Sequence, residues 1–156
     1  MKLKCLYAST ESSSDAYYIS NICIPDPYLS LLYGKDKIAV VSKLEYNRVK
    51  QKSKYNIVFE MESLMEEVSI QTKTPKKSLD IADLIFYFLK SYGASLIEVP
   101  RDFPSFLFKD LRDRKLPVQI AEDAFFSNRA IKTKKQIDFI KSANEASSHG
   151  FKVAEL

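Results

Sequence analysis

Several short apolar stretches of the chain have the length and composition of β-strands. Residues 38–41 form a compact, mainly β-branched run that suits a buried strand. Residues 16–20 are short and aromatic, which indicates a second strand or a buried extended segment. The strands predicted in this way cover residues 3–8, 16–20, 38–41, 56–61, 96–99 and 117–120.

Helix signals lie between most of these strands. Residues 81–92 carry apolar side chains at helical spacing, and Gly93 follows as a residue that often ends helices. Pro104 suits the first turn of a helix that runs to about Lys115. A Ser or Thr three residues before a Glu or Gln predicts helix starts at Ser42, Ser63 and Thr133. Because strands and helices alternate, we expect an α/β fold with helices on both faces of a sheet.

Polar segments separate these elements. Pro25 and Pro27 flank Asp26 and predict an extended, turning loop, because each Pro fixes its own φ and restricts the residue before it. Residues 34–37 predict a turn, and residues 71–77 predict a polar loop. We place a domain boundary within residues 121–132. The helix that starts at Thr133 has no Pro stop before residue 156, so we expect the chain to be a piece of a longer protein.

Composition narrows the classes of function. The formal net charge is only +4, and the lysines occur in small groups without a nucleic-acid-binding motif. We therefore expect an ordinary solvated surface and no nucleic-acid partner. No apolar run has the length of a signal peptide or of a membrane span, so we expect a cytoplasmic protein with no membrane partner. Cys5 and Cys23 lie among apolar neighbours and predict buried free thiols in a reducing cytosol.

Catalytic motifs are not evident in the sequence. His149 is the only histidine, and the chain has too few His and Cys residues for a zinc-type site. Three glycines cannot build a phosphate-binding loop. Glu60 and Glu62 alternate at the end of a predicted strand and are interpreted as a solvated edge. Residues 110–114 are interpreted as a salt-bridged helix surface. The chain on its own is therefore expected to be non-catalytic.

Several short motifs of the chain resemble those of one protein family and occur in the same order along the sequence. Phe125-Phe126-x-x-Arg129-x-Ile131-Lys132-Thr133-x-x-Gln136-Ile137 resembles the junction between the two domains of the Xaa-Pro aminopeptidase, prolidase and creatinase family. Four upstream stretches are similar to other parts of this family. They are the stretch from Asp15 to Ser20, Pro-Asp-Pro-Tyr-Leu at residues 25–29, Val-Ser-x-Leu-Glu-Tyr-x-Arg at residues 41–48 and Val-Pro-x-x-Phe-Pro at residues 99–104. Asn21 and Ile22 stand where the family often has Gly-Phe, and Gln136 stands for the usual Glu.

The resemblance implies a three-layer, ribonuclease-H-like α/β domain with a mixed sheet at residues 1–130. Residues 131–156 would be a linker helix that starts a pita-bread metallopeptidase domain. In the full-length protein, two divalent metals (manganese or cobalt), held by two Asp, one His and two Glu of that second domain, would hydrolyse Xaa-Pro bonds. None of these ligands falls in this chain, so the resemblance implies no catalytic residue and no cofactor here. It implies three partners: the protein's own catalytic domain, further subunits in a homodimer or larger homo-oligomer, and proline-containing peptides.

The early loop is the candidate site. In some relatives this loop leans towards an active site, and the candidates for a substrate lid here are Asn21, Cys23, Asp26 and Tyr28. A purely structural Pro-rich turn would explain the same residues. Two other functions remain open from the sequence: a creatinase-like amidinohydrolase, and a catalytically inactive relative that acts as a binding or assembly module.

Overall fold

A computed structural model of the chain describes residues 1–154. The strands are β1 (Lys2–Ala8), β2 (Tyr28–Tyr33), β3 (Asp36–Val41), β4 (Ile57–Glu60), β5 (Leu96–Val99) and β6 (Val118–Ile120). The α-helices are α1 (Ser14–Ser20), α2 (Lys43–Lys52), α3 (Met61–Thr72), α4 (Ile81–Ser91), α5 (Ser105–Asp113) and α6 (Lys134–Ala154). Two short 3₁₀ turns lie at Lys76–Ser78 and Ser127–Ala130.

Within the described residues the strands form one mixed sheet in the order β4-β3-β2-β1-β5-β6. The three central strands are joined by antiparallel pairings of β1 with β2 and of β2 with β3. The outer strands add in parallel, β4 to β3 on one side and β5 and then β6 to β1 on the other. Gly34 has φ +60 in the tight turn between β2 and β3, a backbone conformation that glycine adopts without a steric cost.

The sheet separates two layers of helices. Leu3, Cys5 and Leu31 point to the face where α3, α4 and α5 pack in one continuous apolar cluster. Neighbouring strand residues point to the opposite face. There α1 and α2 pack through the buried side chains of Ile19 and Val49. The predicted three-layer α/β fold, a mixed sheet with helices on both faces, is confirmed.

The prediction for residues 16–20 is wrong, because they belong to helix α1. Ser13 provides the start of this helix, since its Oγ accepts a hydrogen bond from the Ala16 N–H at 3.3 Å. Asn21 ends the helix in the left-handed region with φ 60, and its N–H donates to the Tyr17 carbonyl. Strand β2 was not predicted, although its six residues lie at the centre of the sheet.

The predicted capping boxes have different outcomes. Thr133 and Gln136 form theirs, with distances of 2.8 Å from the Thr133 N–H to Gln136 Oε1 and 3.3 Å from the Gln136 N–H to Thr133 Oγ1. Ser42 precedes α2 without a side-chain capping bond, because the Glu45 N–H donates to the Ser42 carbonyl at 3.1 Å and the Glu45 carboxylate pairs with Arg48. The helix predicted after Ser42 is nevertheless present as α2, whereas Ser63 does not start a helix.

The start of α3 shows why the Ser63 prediction is wrong. Met61 is already helical, and the Glu60 carboxylate caps α3 by accepting from the N–H groups of Glu62 and Ser63 at 3.0 Å. The Ser63 hydroxyl donates to the same carboxylate. These bonds lower the pKa of Glu60, with the Ser63 hydroxyl as the largest cause. Glu60 therefore has a structural role as a helix cap.

The chain divides into two compact units. The sheet unit (Met1–Phe125) contains β1–β6 and α1–α5, and the helical unit (Phe126–Leu156) contains α6. All described side chains of α6 are at least partly accessible, including those of Ile137, Phe139 and Ile140. The predicted boundary between residues 130 and 131 remains a prediction. Within residues 1–154, no helix combines the length and the apolar character that a membrane crossing requires.

Candidate functional site

Residues 21–27 connect α1 to β2, and three of the four candidate residues lie exposed on this connection. Asn21, Cys23 and Asp26 have solvent-exposed side chains. Tyr28 is the first residue of β2 and is buried, with 2% of its surface accessible. The structure therefore brings Asn21, Cys23 and Asp26 together on one short loop and places Tyr28 beneath it.

The start of the loop is held by Ser20, the last residue of α1. Its Oγ donates to the carbonyl of Ile22 at 2.9 Å, and its own carbonyl accepts from the Lys54 N–H at 3.0 Å. Together with the left-handed conformation of Asn21, these bonds set the direction in which the chain leaves the helix.

Ile24 anchors the middle of the loop. Its side chain is 1% exposed, and its backbone exchanges hydrogen bonds with Thr10. The Ile24 N–H donates to Thr10 Oγ1 at 2.7 Å, and the Thr10 N–H donates to the Ile24 carbonyl at 2.9 Å. The buried side chain and the paired backbone groups anchor this segment to Thr10.

The prediction that Cys23 is buried is wrong. Its side chain is exposed, while its carbonyl accepts a hydrogen bond from Arg48 Nη1 at 2.7 Å. Arg48 is itself held by the Glu45 carboxylate on α2. The physical reason is that Ile24, the next residue, takes the buried position and turns the Cys23 side chain outward. Cys5 is buried as predicted, and burial raises the pKa of its thiol.

Tyr28 fixes the far end of the loop through a buried chain of hydroxyl groups. Its Oη donates to the Ala16 carbonyl at 3.3 Å and lies 2.9 Å from the Oη of Tyr55. The Tyr55 Oη in turn lies 2.7 Å from Ser30 Oγ, within hydrogen-bond distance. Burial raises the pKa of both phenols, and the hydroxyl groups of Tyr55 and Ser20 oppose this only in part for Tyr28. Tyr28 is therefore a neutral anchor below the loop.

This arrangement suits binding better than chemistry. The loop presents an amide, a thiol and a carboxylate on a fixed backbone. Among the described residues, no group of three or more His, Cys, Asp or Glu side chains could hold a metal ion. The residues present thus do not fit a resident metal. His149 is exposed on α6 in the helical unit.

Several other charged residues in the sheet unit form ion pairs or helix caps. Glu62 pairs with Lys76 at 2.9 Å, so Glu60 and Glu62 do not face each other as an acid–base pair. Of the residues predicted to form ion pairs at positions 110–114, Asp110 pairs with Arg114 and Asp113 pairs with Lys109. Arg114 also reaches beyond its own helix and contacts Asp83 at 2.6 Å and Asp80 at 2.5 Å, which are the two capping residues of α4.

Sequence reasoning missed the residues that hold the loop. Thr10, Arg48 and Tyr55 come from three separate segments, so no local pattern connects them with residues 21–27. One signal was available for Arg48, since Glu45 lies three residues before it on the same helix face.

No family model matches the sequence, and no curated protein matches it either. Solved structures do match. The X-Pro aminopeptidase from Thermotoga maritima MSB8 superposes with a TM-score of 0.71 at 15% identity, over 97% of this chain and 39% of its own. Prolidase from Pyrococcus furiosus has a TM-score of 0.61 at 16% identity, over 93% of this chain and 36% of its own. Prolidase from Pyrococcus horikoshii OT3 has a TM-score of 0.61 at 17% identity, and the match covers 94% of this chain and 36% of the prolidase chain.

The chain spans between about a third and two fifths of these structures, as one domain of a larger protein does. At these identities the comparison shows a shared fold and leaves the activity open. The resemblance predicted from the sequence motifs is confirmed at this level: the chain has the fold of the N-terminal domain of X-Pro aminopeptidases and prolidases.

Proposed function

We propose that this chain is the non-catalytic N-terminal domain of a cytoplasmic, proline-specific metallopeptidase. The observation that carries the proposal is the superposition of 97% of the chain on part of an X-Pro aminopeptidase. The junction motif at residues 125–137 supports it independently, because it joins two domains in the family that the sequence resembles. In this proposal, α6 leads into the catalytic domain, which holds two divalent metals, manganese or cobalt.

The loop at residues 21–27 would shape the entrance to the active site. Asn21, Cys23 and Asp26 face solvent, while Ile24 and Tyr28 hold the backbone in place. A binding wall benefits from such rigidity, because little conformational freedom is lost when a peptide docks. The same domain would mediate contacts between subunits of a homo-oligomer.

The loop assignment can be tested with Asp26→Asn in the protein encoded by the complete reading frame. Asp26 is solvent-exposed, so the substitution should not affect folding. We expect KM for Xaa-Pro peptides to change severalfold while kcat stays within about twofold, because only substrate binding is altered. Glu11→Gln is the matched control, since Glu11 is an exposed carboxylate outside the loop. Equal kinetics for the two variants would remove the loop from the proposed site.

Substrate class is tested by comparing Xaa-Pro dipeptides, longer Xaa-Pro peptides and creatine with the same full-length protein. The proposal predicts hydrolysis of the Xaa-Pro bond and no turnover of creatine. Turnover of creatine alone would make the protein an amidinohydrolase, and no turnover of any of them would leave a binding or assembly module.

A further inference from the structure

The chain turns back towards the middle of the sheet after β6, which ends at Ile120. We call residues 121–125 the strap, because they return past β5 to β1, and β5 lies between β6 and β1 in the strand order. The Ala121 N–H begins the return by donating to the Val99 carbonyl at 2.8 Å. The strap is neither helix nor strand, so its position depends on contacts with the strands that it passes.

Two cationic side chains hold the backbone of the strap. Arg101, which follows β5, donates from Nη2 to the Glu122 carbonyl at 2.6 Å. Lys4 of β1 donates from Nζ to the Phe125 carbonyl at 2.6 Å. The strap is therefore tied near its start by Arg101 and at its end by Lys4.

Phe125 also contacts Lys4 through its ring. The ring is buried, with 5% of the residue exposed, and the Lys4 ammonium group lies 4.8 Å from the ring centroid. A cation in this position is attracted by the ring quadrupole. Lys4 therefore binds both the carbonyl and the side chain of Phe125.

Lys4 is itself held by a carboxylate on β5. Lys4 and Glu98 are register partners on neighbouring strands, and Nζ of Lys4 lies 3.5 Å from Oε2 of Glu98. Glu98 also binds Lys2 at 2.7 Å. The bond with Glu98 is the largest cause that raises the pKa of Lys2, and the Glu122 carboxylate of the strap adds a smaller attraction. Charges from β1, β5 and the strap thus form one cluster.

We propose that Lys4 is a clasp, and that the strap opens and closes as one unit while the sheet stays folded. The side chains of residues 122–124 are already exposed, so opening brings mainly the Phe125 ring into water. A segment with so little buried surface opens at a lower free energy than global unfolding. β1 is paired with β2 on one side and with β5 on the other, so it does not depend on the strap.

The clasp sets the point at which the chain leaves the sheet unit. That unit ends at Phe125, the residue that Lys4 binds. The junction motif at residues 125–137 begins at the same residue. A closed strap therefore fixes the start of the junction on β1, and an open strap releases it. The device depends on contacts of the sheet unit alone and not on peptidase activity.

Proteolysis of the 156-residue chain measures opening of the strap. Chymotrypsin can cleave after Phe125 only when the ring is free, and a glutamate-specific protease needs the Glu122 carbonyl that Arg101 binds. The two cleavage rates, with the sites identified by mass spectrometry, therefore report the open population. We expect Lys4→Met to raise both rates at least about tenfold, because a hydrogen bond from a charged donor is lost. Arg101→Met should raise both by about threefold, since its side chain is exposed.

Two variants and one thiol serve as controls. Lys4→Arg keeps a charged donor at the clasp, so both rates should stay within about threefold of the wild type. Lys35→Met removes an exposed lysine in the turn between β2 and β3 and should leave both rates unchanged. Cys5 is the next residue of β1 and is buried, so its thiol should be labelled as slowly as in the wild type while the strap is cleaved faster.

Three results would overturn the inference. Unchanged cleavage in Lys4→Met would remove the clasp. If Lys4→Met accelerated only the cut after Phe125, and Arg101→Met only the cut after Glu122, the strap would not open as one unit. Labelling of Cys5 as fast as cleavage of the strap would show that the sheet opens with it. Should Lys4→Met fail to fold, Arg101→Met tests the same two bonds and the same thiol.

Discussion

Tyr55→Phe tests the buried anchor of the candidate loop. The substitution removes one hydroxyl group and leaves the aromatic ring, so packing against Tyr28, whose ring centroid lies 6.1 Å away, is kept. It leaves Ser30 Oγ, on a side chain that is 1% exposed, without the 2.7 Å bond from Tyr55. The Tyr28 hydroxyl loses its contact with Tyr55 and keeps its bond to the Ala16 carbonyl.

The expected cost follows from burial. A polar group left unpaired in the interior costs about 1–3 kcal/mol, so we expect the free energy of unfolding to fall by about 2 kcal/mol. For a chain of this length that corresponds to a loss of about 4–8 °C in Tm. Urea unfolding followed by circular dichroism measures the change directly, with the m-value as a check that the same surface unfolds.

A double-mutant cycle sharpens the test. Tyr28→Phe combined with Tyr55→Phe should cost less than the sum of the single changes, because the two hydroxyls share one network. Tyr17→Phe is the control, since the Tyr17 side chain is 53% exposed and its change should stay within about 0.5 kcal/mol. If Tyr55→Phe costs no more than Tyr17→Phe, or if the two buried changes simply add, the hydroxyl chain does not hold the loop as argued.

Three further predictions concern separate parts of the sheet unit. Native protein should react with a thiol reagent only at Cys23, and Cys5 should react only after unfolding; rapid labelling of both would contradict the observed burial. Burial opposes ionisation of Glu98, but the bond and charge of Lys2 outweigh it and lower its pKa. Its stabilisation is therefore present above the unfolded-state pKa of a glutamate, about 4.3, and is lost as the pH falls through the lowered folded-state pKa. Urea midpoints of Glu98→Gln should fall less between pH 7 and pH 3.5 than those of the wild type, and an equal fall would refute this. Arg114→Leu should lower unfolding free energy by about 1–2 kcal/mol at low salt, less at high salt, and a salt-independent cost would argue against the ion-pair network.

Local sequence signals were sufficient to predict an element where its structure depends on contacts between residues that are close in sequence. The helix predicted at residues 81–92 corresponds to α4 at Ile81–Ser91, and Gly93 follows it with φ +59. The apolar run at residues 38–41 lies in β3, and the Thr133 capping box forms as its spacing predicts. In each case the bonds join residues that are close in sequence.

Predictions based on local signals were wrong where another residue competed for the same role. Residues 16–20 have strand-forming side chains, but the Ser13 hydroxyl caps them as a helix. Ser42 and Ser63 both have capping-box spacing. Helix α2 does follow Ser42, but its capping box is not formed and the Glu45 carboxylate pairs with Arg48. At Ser63 the helix has already started, because Glu60 caps α3. Sequence spacing records which bonds are possible and does not rank them.

The candidate loop was only partly predictable. Pro25 and Pro27 indicated a turn, and the turn is present. Its anchoring depends on contacts with Thr10, Arg48 and Tyr55, which are distant in sequence and meet only after the sheet has formed. The exposure of Cys23 and the burial of Tyr28 follow from those contacts, so the local pattern alone could not assign them.

The most direct test of the proposed function is to read the reading frame beyond Leu156. The proposal predicts that the frame continues into a second domain that carries two Asp, one His and two Glu as metal ligands in family order. A stop codon after Leu156, or a continuation without those ligands, would contradict the peptidase assignment and leave a binding or assembly domain.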